Sequence, residues 1–156
     1  MADWTLSQRD NLRLLGVHPD LQRVVRHAAT RSALRFMVVE GRRTVERQRE
    51  LFKAGASRTL NSRHLTGHAV DLAPILDDGS IPWNRGELFY AVATAMREAS
   101  ILEVVTVTWG AIWDRPLNDI GGDLFAEHAN YLLRYRAERG PGARPLHDSP
   151  HYQIGV

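Results

Sequence analysis

Cysteine is absent from the 156 residues, so no disulfide, thiol nucleophile or cysteine-ligated metal is available. Any bound metal must be held by nitrogen and oxygen. Lysine is nearly absent too: nineteen of the twenty cations are arginine, and Lys53 is the exception. No stretch approaches the roughly 18 apolar residues a spanning helix needs, so no transmembrane segment is expected. The opening residues, MADWTLSQRD, lack the basic lead and apolar centre of a secretory signal. Synthesis in the cytoplasm is therefore expected, with release by other means if the protein works elsewhere. Internal repeats and low-complexity segments are also missing. One domain, 1–156, is expected, and a chain of this length can bury roughly 68–70% of its unfolded surface without a staple.

What charge there is lies unevenly. Residues 1–63 carry a net +7, residues 64–130 a net −7 and the last 26 residues a net +2. A basic face meeting an anionic polymer such as nucleic acid, cell wall or lipopolysaccharide fits this pattern. An ordinary solvated arginine-rich surface fits it as well and is the simpler reading. Aromatic residues are not interleaved with the arginines as a single-strand stacking platform requires, so no nucleic-acid partner is expected.

Helical spacing of Leu21, Val24, Val25 and Ala28 predicts a packing helix over His18–Arg31, with His27 on its surface. Leu34–Glu40 reads as a strand ended by Gly41. Thr44 then caps a helix that ends at Gly55. Ala69–Leu76 reads as a strand, with Pro74 marking an edge position or an early end. Alternation turns Asp71 away from the side that buries Val70 and Leu72. Asp77-Asp78-Gly79 is a turn, Gly86–Ser100 an amphipathic helix and Glu103–Trp109 a third strand. A helix follows Gly121-Gly122 and stops at Gly140-Pro141-Gly142. HYQIGV closes the chain as a short strand with His151 and Gln153 on one face. Helices and strands in this order fit an α+β domain on a small sheet.

Two polar clusters carry the chemistry: SRHLTGHAVD, from Ser62 to Asp71, and HDSPHYQ, from His147 to Gln153. His64 and His68 have the four-residue spacing of HExxH helices, but Gly67 interrupts them and no glutamate follows His64. His64, Asp71 and His151 make a better set, two imidazoles and a carboxylate that leave a fourth position for water. Asp148 can serve such a site as general base and then general acid. Arg43, in the turn after the first strand, can stabilise an oxyanion. Spacing alone leaves other readings open: Asp148 as a turn residue, His151 as a satisfied strand histidine, Arg43 as a solvated cation.

The stretch SRHLTGHAVD resembles the S-x-H-x-x-G-x-A-x-D signature of zinc peptidases. These include the D-alanyl-D-alanine carboxypeptidases and the L-alanyl-D-glutamate peptidases of phage endolysins. EGRRT with Gln48 is similar to the family's G-x-R-[ST]…Q element, WGAIW to its W-G-x-x-W, and HDSPHYQ to its terminal D-x-P-H-x-[EQ]. All four occur in family order between residues 40 and 153. The resemblance implies a small antiparallel sheet flanked by helices, of the Hedgehog/DD-peptidase type. It implies one Zn2+ on His64, Asp71 and His151, with Asp148 as acid/base and Arg43 as the polarising arginine. Ser62, Gln48 and Trp109 then fall at substrate-binding positions, and His68 and His147 are neighbours rather than ligands. The implied substrate is the peptidoglycan stem peptide, cut by a monomer acting in the periplasm or wall after release from the host cytoplasm. A D,D- or L,D-carboxypeptidase of the same fold and a non-catalytic wall-binding module are the alternatives. Ala111 stands where a second glycine is common, and Gln153 where many members have glutamate. Residues 117–144 are long for the compact phage enzymes, which makes them a candidate helical lid.

Overall fold

In the computed structural model, which describes residues 3–155, the β-branched and aromatic run after Arg35 forms strand β1 (Phe36–Glu40). Met1, Ala2 and Val156, the last residue of the expected terminal strand, lie outside the described residues. β2 (Ala69–Pro74), β3 (Thr108–Trp109) and β4 (His151–Gln153) complete one antiparallel sheet in the order β1-β2-β4-β3. The last strand in sequence is thus interior, paired to β2 on one side and β3 on the other. β2 is interior as well, so Pro74 marks the end of its strand and not an edge.

Among the described residues, five helices flank the sheet: α1 (Gln8–Leu14), α2 (Pro19–Arg31), α3 (Val45–Lys53), α4 (Gly86–Leu102) and α5 (Leu124–Arg139). The apolar stripe of α2 is wholly buried, together with Val92 and Met96 of α4 and Val70 and Leu72 of β2. One face of the sheet therefore closes over the core, and the odd-numbered Asp71 is left to the other. His27 is only partly exposed, because its Nδ1 lies 2.8 Å from Glu103 Oε1 beyond the end of α4.

α1 was not expected from periodicity. Its start is a reciprocal cap, with Asp10 N–H donating to Ser7 Oγ and the Ser7 backbone N–H donating to Asp10 Oδ2. The other oxygen of the buried Asp10 carboxyl accepts the Val38 N–H at 2.8 Å, which ties α1 to β1.

The expected strand over Glu103–Trp109 shortens to Thr108–Trp109. α4 runs on to Leu102, and Val104 then takes φ +56°, which breaks any extended run. The backbone beyond it pairs with one side chain in place of a strand: Val107 N–H donates to Asn118 Oδ1, and Asn118 Nδ2 donates to Val105 O. β-rich composition overstated the strand because a single amide could satisfy the same groups.

Candidate metal centre and cleft

Ser62 caps a single 3-10 turn, Arg63–Thr66, by accepting the His64 N–H. Gly67 ends the turn at φ +76°, and a Cβ there would lie 2.1 Å from Gly16 O. Only glycine fits so close an approach. The turn separates the two histidines of the motif. His64 is buried, while His68 hydrogen-bonds Thr66 Oγ1 at 2.9 Å and rests 5.1 Å from the His18 ring.

Strand register does the rest. Asp71 pairs with His151 across β2 and β4, and a one-residue slip between Val38 and Glu40 sets Glu40 opposite Asp71 on the other side. His64 Nε2 and His151 Nδ1 each lie 3.2 Å from Asp71 Oδ1, and the three ligand atoms fall within 4.8 Å of one another. The outer nitrogens are engaged elsewhere. His64 Nδ1 is 2.8 Å from Gly41 O, and His151 Nε2 is 2.9 Å from Gln153 Oε1. Both acceptors take a proton, so the inner nitrogens turn lone pairs toward the carboxylate. Such convergence of electron-rich atoms is stable only with a proton or a cation among them. Burial pushes the Asp71 carboxyl up, but with a proton on the inner nitrogens the hydrogen bonds from His151 and His64 outweigh it and hold it far below the carboxylate range. Burial likewise lowers His151, and its bond to Asp71 more than reverses that. These three residues could hold a metal ion, and with Asp71 19% exposed the open side faces the cleft.

Asp148 is held beside them by the W-G-x-x-W element. Trp109, wholly buried, donates from Nε1 to Ser149 O at 2.8 Å, and Trp113 Nε1 donates to Leu146 O at 2.9 Å. Between these bonds, Asp148 N–H donates to Gly110 O and Gly110 N–H donates to His151 O, both at 2.8 Å. A Cβ on Gly110 would sit 2.1 Å from Asp148 O and 3.0 Å from the His151 Cβ. The element is a clamp on the Asp148 loop. Overpacking of this kind costs typically about 1–3 kcal/mol, while displacing a reacting group by about 1 Å can cost about 10²-fold in rate. Gly110→Ala is therefore expected to lower kcat far more than it lowers Tm, measured on the same preparation. Burial, and then the neighbouring Asp71 charge, pushes the Asp148 carboxyl above its ordinary range, against opposing contributions from His151, His64 and His147.

Arg43 is nearly enclosed and forms a fork on Glu40, Nε and Nη2 donating to the two carboxylate oxygens at 2.6 Å each. Its Nη1 donates to Gln48 Oε1 at 2.6 Å. Three of its five N–H groups are thus used and two remain. Gln48 is 1% exposed, and its Nε2 donates to Ser57 Oγ and Thr59 O. Of the three residues read as substrate-binding, only Ser62 lines the cleft, and Gln48 and Trp109 stand behind it as supports. Glu40, Gly41 O and Trp113 had been given no role. Glu40 had a local signal, lying three residues before Arg43 in EGRRT.

The cleft measures about 550 Å³, with the 55–63 loop as one wall and Trp113 and Leu146 as the other. Residues 117–144 contribute nothing to its lining; Leu124, His128 and Tyr131 of α5 turn inward instead.

Among known proteins, this small antiparallel sheet is found in a peptidase. The solved L-Ala D-Glu endopeptidase ChiX of Serratia marcescens is similar over 98% of this chain and 91% of its own, with 34% identity and a TM-score of 0.72. The L-alanyl-D-glutamate peptidase of Escherichia phage T5 is 36% identical over 105 residues, 65% of this chain and 76% of that relative. The chain belongs to the phage L-alanyl-D-glutamate peptidase family, whose profile matches residues 2–122.

Proposed function

We propose that this peptidase is a zinc enzyme that cuts the L-alanyl–D-glutamate bond of peptidoglycan stem peptides and serves as a phage endolysin. It is made in the host cytoplasm and acts as a monomer on the wall after release. The observation that carries the reading is the convergence of His64, Asp71 and His151 beneath the cleft, with Asp148 clamped beside them. Two nitrogens and one oxygen with an open side suit zinc, which would supply a Lewis acid for the scissile carbonyl and a more acidic water.

The chain's own residues supply the remainder. Gly41 O and Gln153 fix the tautomers of His64 and His151, so the lone pairs meet at one point. Asp148 takes the proton of the attacking water and returns it to the leaving amine. Arg43, oriented by Glu40, keeps two N–H groups for the oxygen on which negative charge develops.

Mass spectrometry of digested peptidoglycan tests the bond. New N-terminal D-glutamyl peptides are expected. Release of D-alanine in their place would assign the chain to the carboxypeptidases of this fold.

A further inference from the structure

Four arginines line the cleft, and they are not equivalent. Arg43 is neutralised by Glu40, and Arg63 donates from Nη1 to Ile154 O. Among the described residues, the Arg47 side chain pairs with Glu50 alone, at 3.2 Å, in a pair more than half exposed on both sides, which solvent makes weak. Arg58 makes no ion pair and no side-chain hydrogen bond among the described residues. The backbone that carries it is nevertheless held. The residues on either side, Ser57 and Thr59, are both held by the buried Gln48 amide, at 2.9 and 2.6 Å, and the other end of that amide holds Arg43. One side chain thus holds both the backbone that carries this exposed cation and the guanidinium of Arg43.

The cleft wall therefore offers one unpaired cation on a held backbone, with a weakly paired second beside it, which can meet an anion on the substrate. Building on the peptidase reading above, chemistry says where that anion lies. A glutamyl residue passes the chain on through one carboxyl and keeps the other free. Whichever linkage is used, a carboxylate remains within one residue of the scissile nitrogen. We propose that Arg58, assisted by Arg47, binds this free carboxylate and so selects an acidic residue on the leaving side of the bond.

Two synthetic stem peptides, identical except that this carboxylate is free in one and a carboxamide in the other, test the assignment on the metal-loaded enzyme. The wild type is expected to show a KM about tenfold lower for the acid, the usual scale of one charge-assisted contact. Arg58→Ala should raise KM for the acid about tenfold, with kcat within about twofold, and leave the amide unaffected. Arg58→Lys should restore part of the difference, and Arg47→Ala should show a smaller effect of the same kind. Equal KM values for both peptides in the wild type, or equal losses on both in Arg58→Ala, would overturn the arginine assignment and leave the peptidase reading intact. Cleavage of neither peptide by the wild type would overturn both.

Discussion

His151→Ala protein is expected to fold, to bind no metal and to lose more than about 10³-fold of its activity. The scale follows from comparison. A group that merely supports a ligand is worth about 10–100-fold in metal affinity or activity, and His151 is a ligand. Gln153→Leu supplies the graded control, since it removes only the acceptor 2.9 Å from His151 Nε2; a loss of about 10–100-fold is expected there. Metal content by mass spectrometry and Tm with and without added zinc check both variants. Wild-type Tm should rise with zinc by mass action, and His151→Ala should not respond. Full zinc binding by His151→Ala would sink the proposed centre. Deleting the last six residues is a blunter test, because β4 lies between β2 and β3 and its loss unpairs both neighbours.

The centre was more legible in the sequence than its supports, for a physical reason. His64, Asp71 and His151 are suggested by ligand chemistry, Asp71 and His151 also by strand alternation, and the family motifs single them out. Their mutual approach depends on β4 entering the sheet beside β2, and the matching motifs at each end of the chain anticipated that. Glu40 and Gln48 act through register and burial. Only the slip after Val38 sets Glu40 opposite Asp71, and only the folded 57–59 loop shows what the Gln48 amide holds. The W-G-x-x-W element is recognisable as a motif and only its Trp109 reads as substrate-binding, yet both its indole N–H groups are spent on carbonyls of the Asp148 loop. Helix α1 has a local signal, the Ser7–Asp10 cap, that hydrophobic periodicity does not register, whereas β3 is shortened through Asn118, whose side chain satisfies backbone groups eleven and thirteen residues away. Patterns of hydrophobicity carry no record of such long-range substitutions.

Asp148→Asn is expected to keep the metal and lose about 10³-fold in kcat, within the 10²–10⁴-fold range for a positioned acid/base. Asparagine preserves the shape of the loop. The backbone bonds from Asp148 N–H to Gly110 O and from His151 N–H to Asp148 O do not involve the side chain, so His151 should stay in place. What disappears is the ability to take a proton. The sign of the pH dependence follows from the raised carboxyl, which burial and the Asp71 charge shift upward. The ionised form that the reaction needs is complete above that pKa and is lost as pH falls through it, giving activity an acid limb. In Asp148→Asn the residual activity should lack this limb, whatever its position in the wild type, because a bound dication pulls the carboxyl in the opposite direction. A pH–kcat profile of both proteins at constant metal occupancy reads the difference. An acid limb that persists unchanged in the variant would move the proton-transfer role from Asp148 to another group in the cleft.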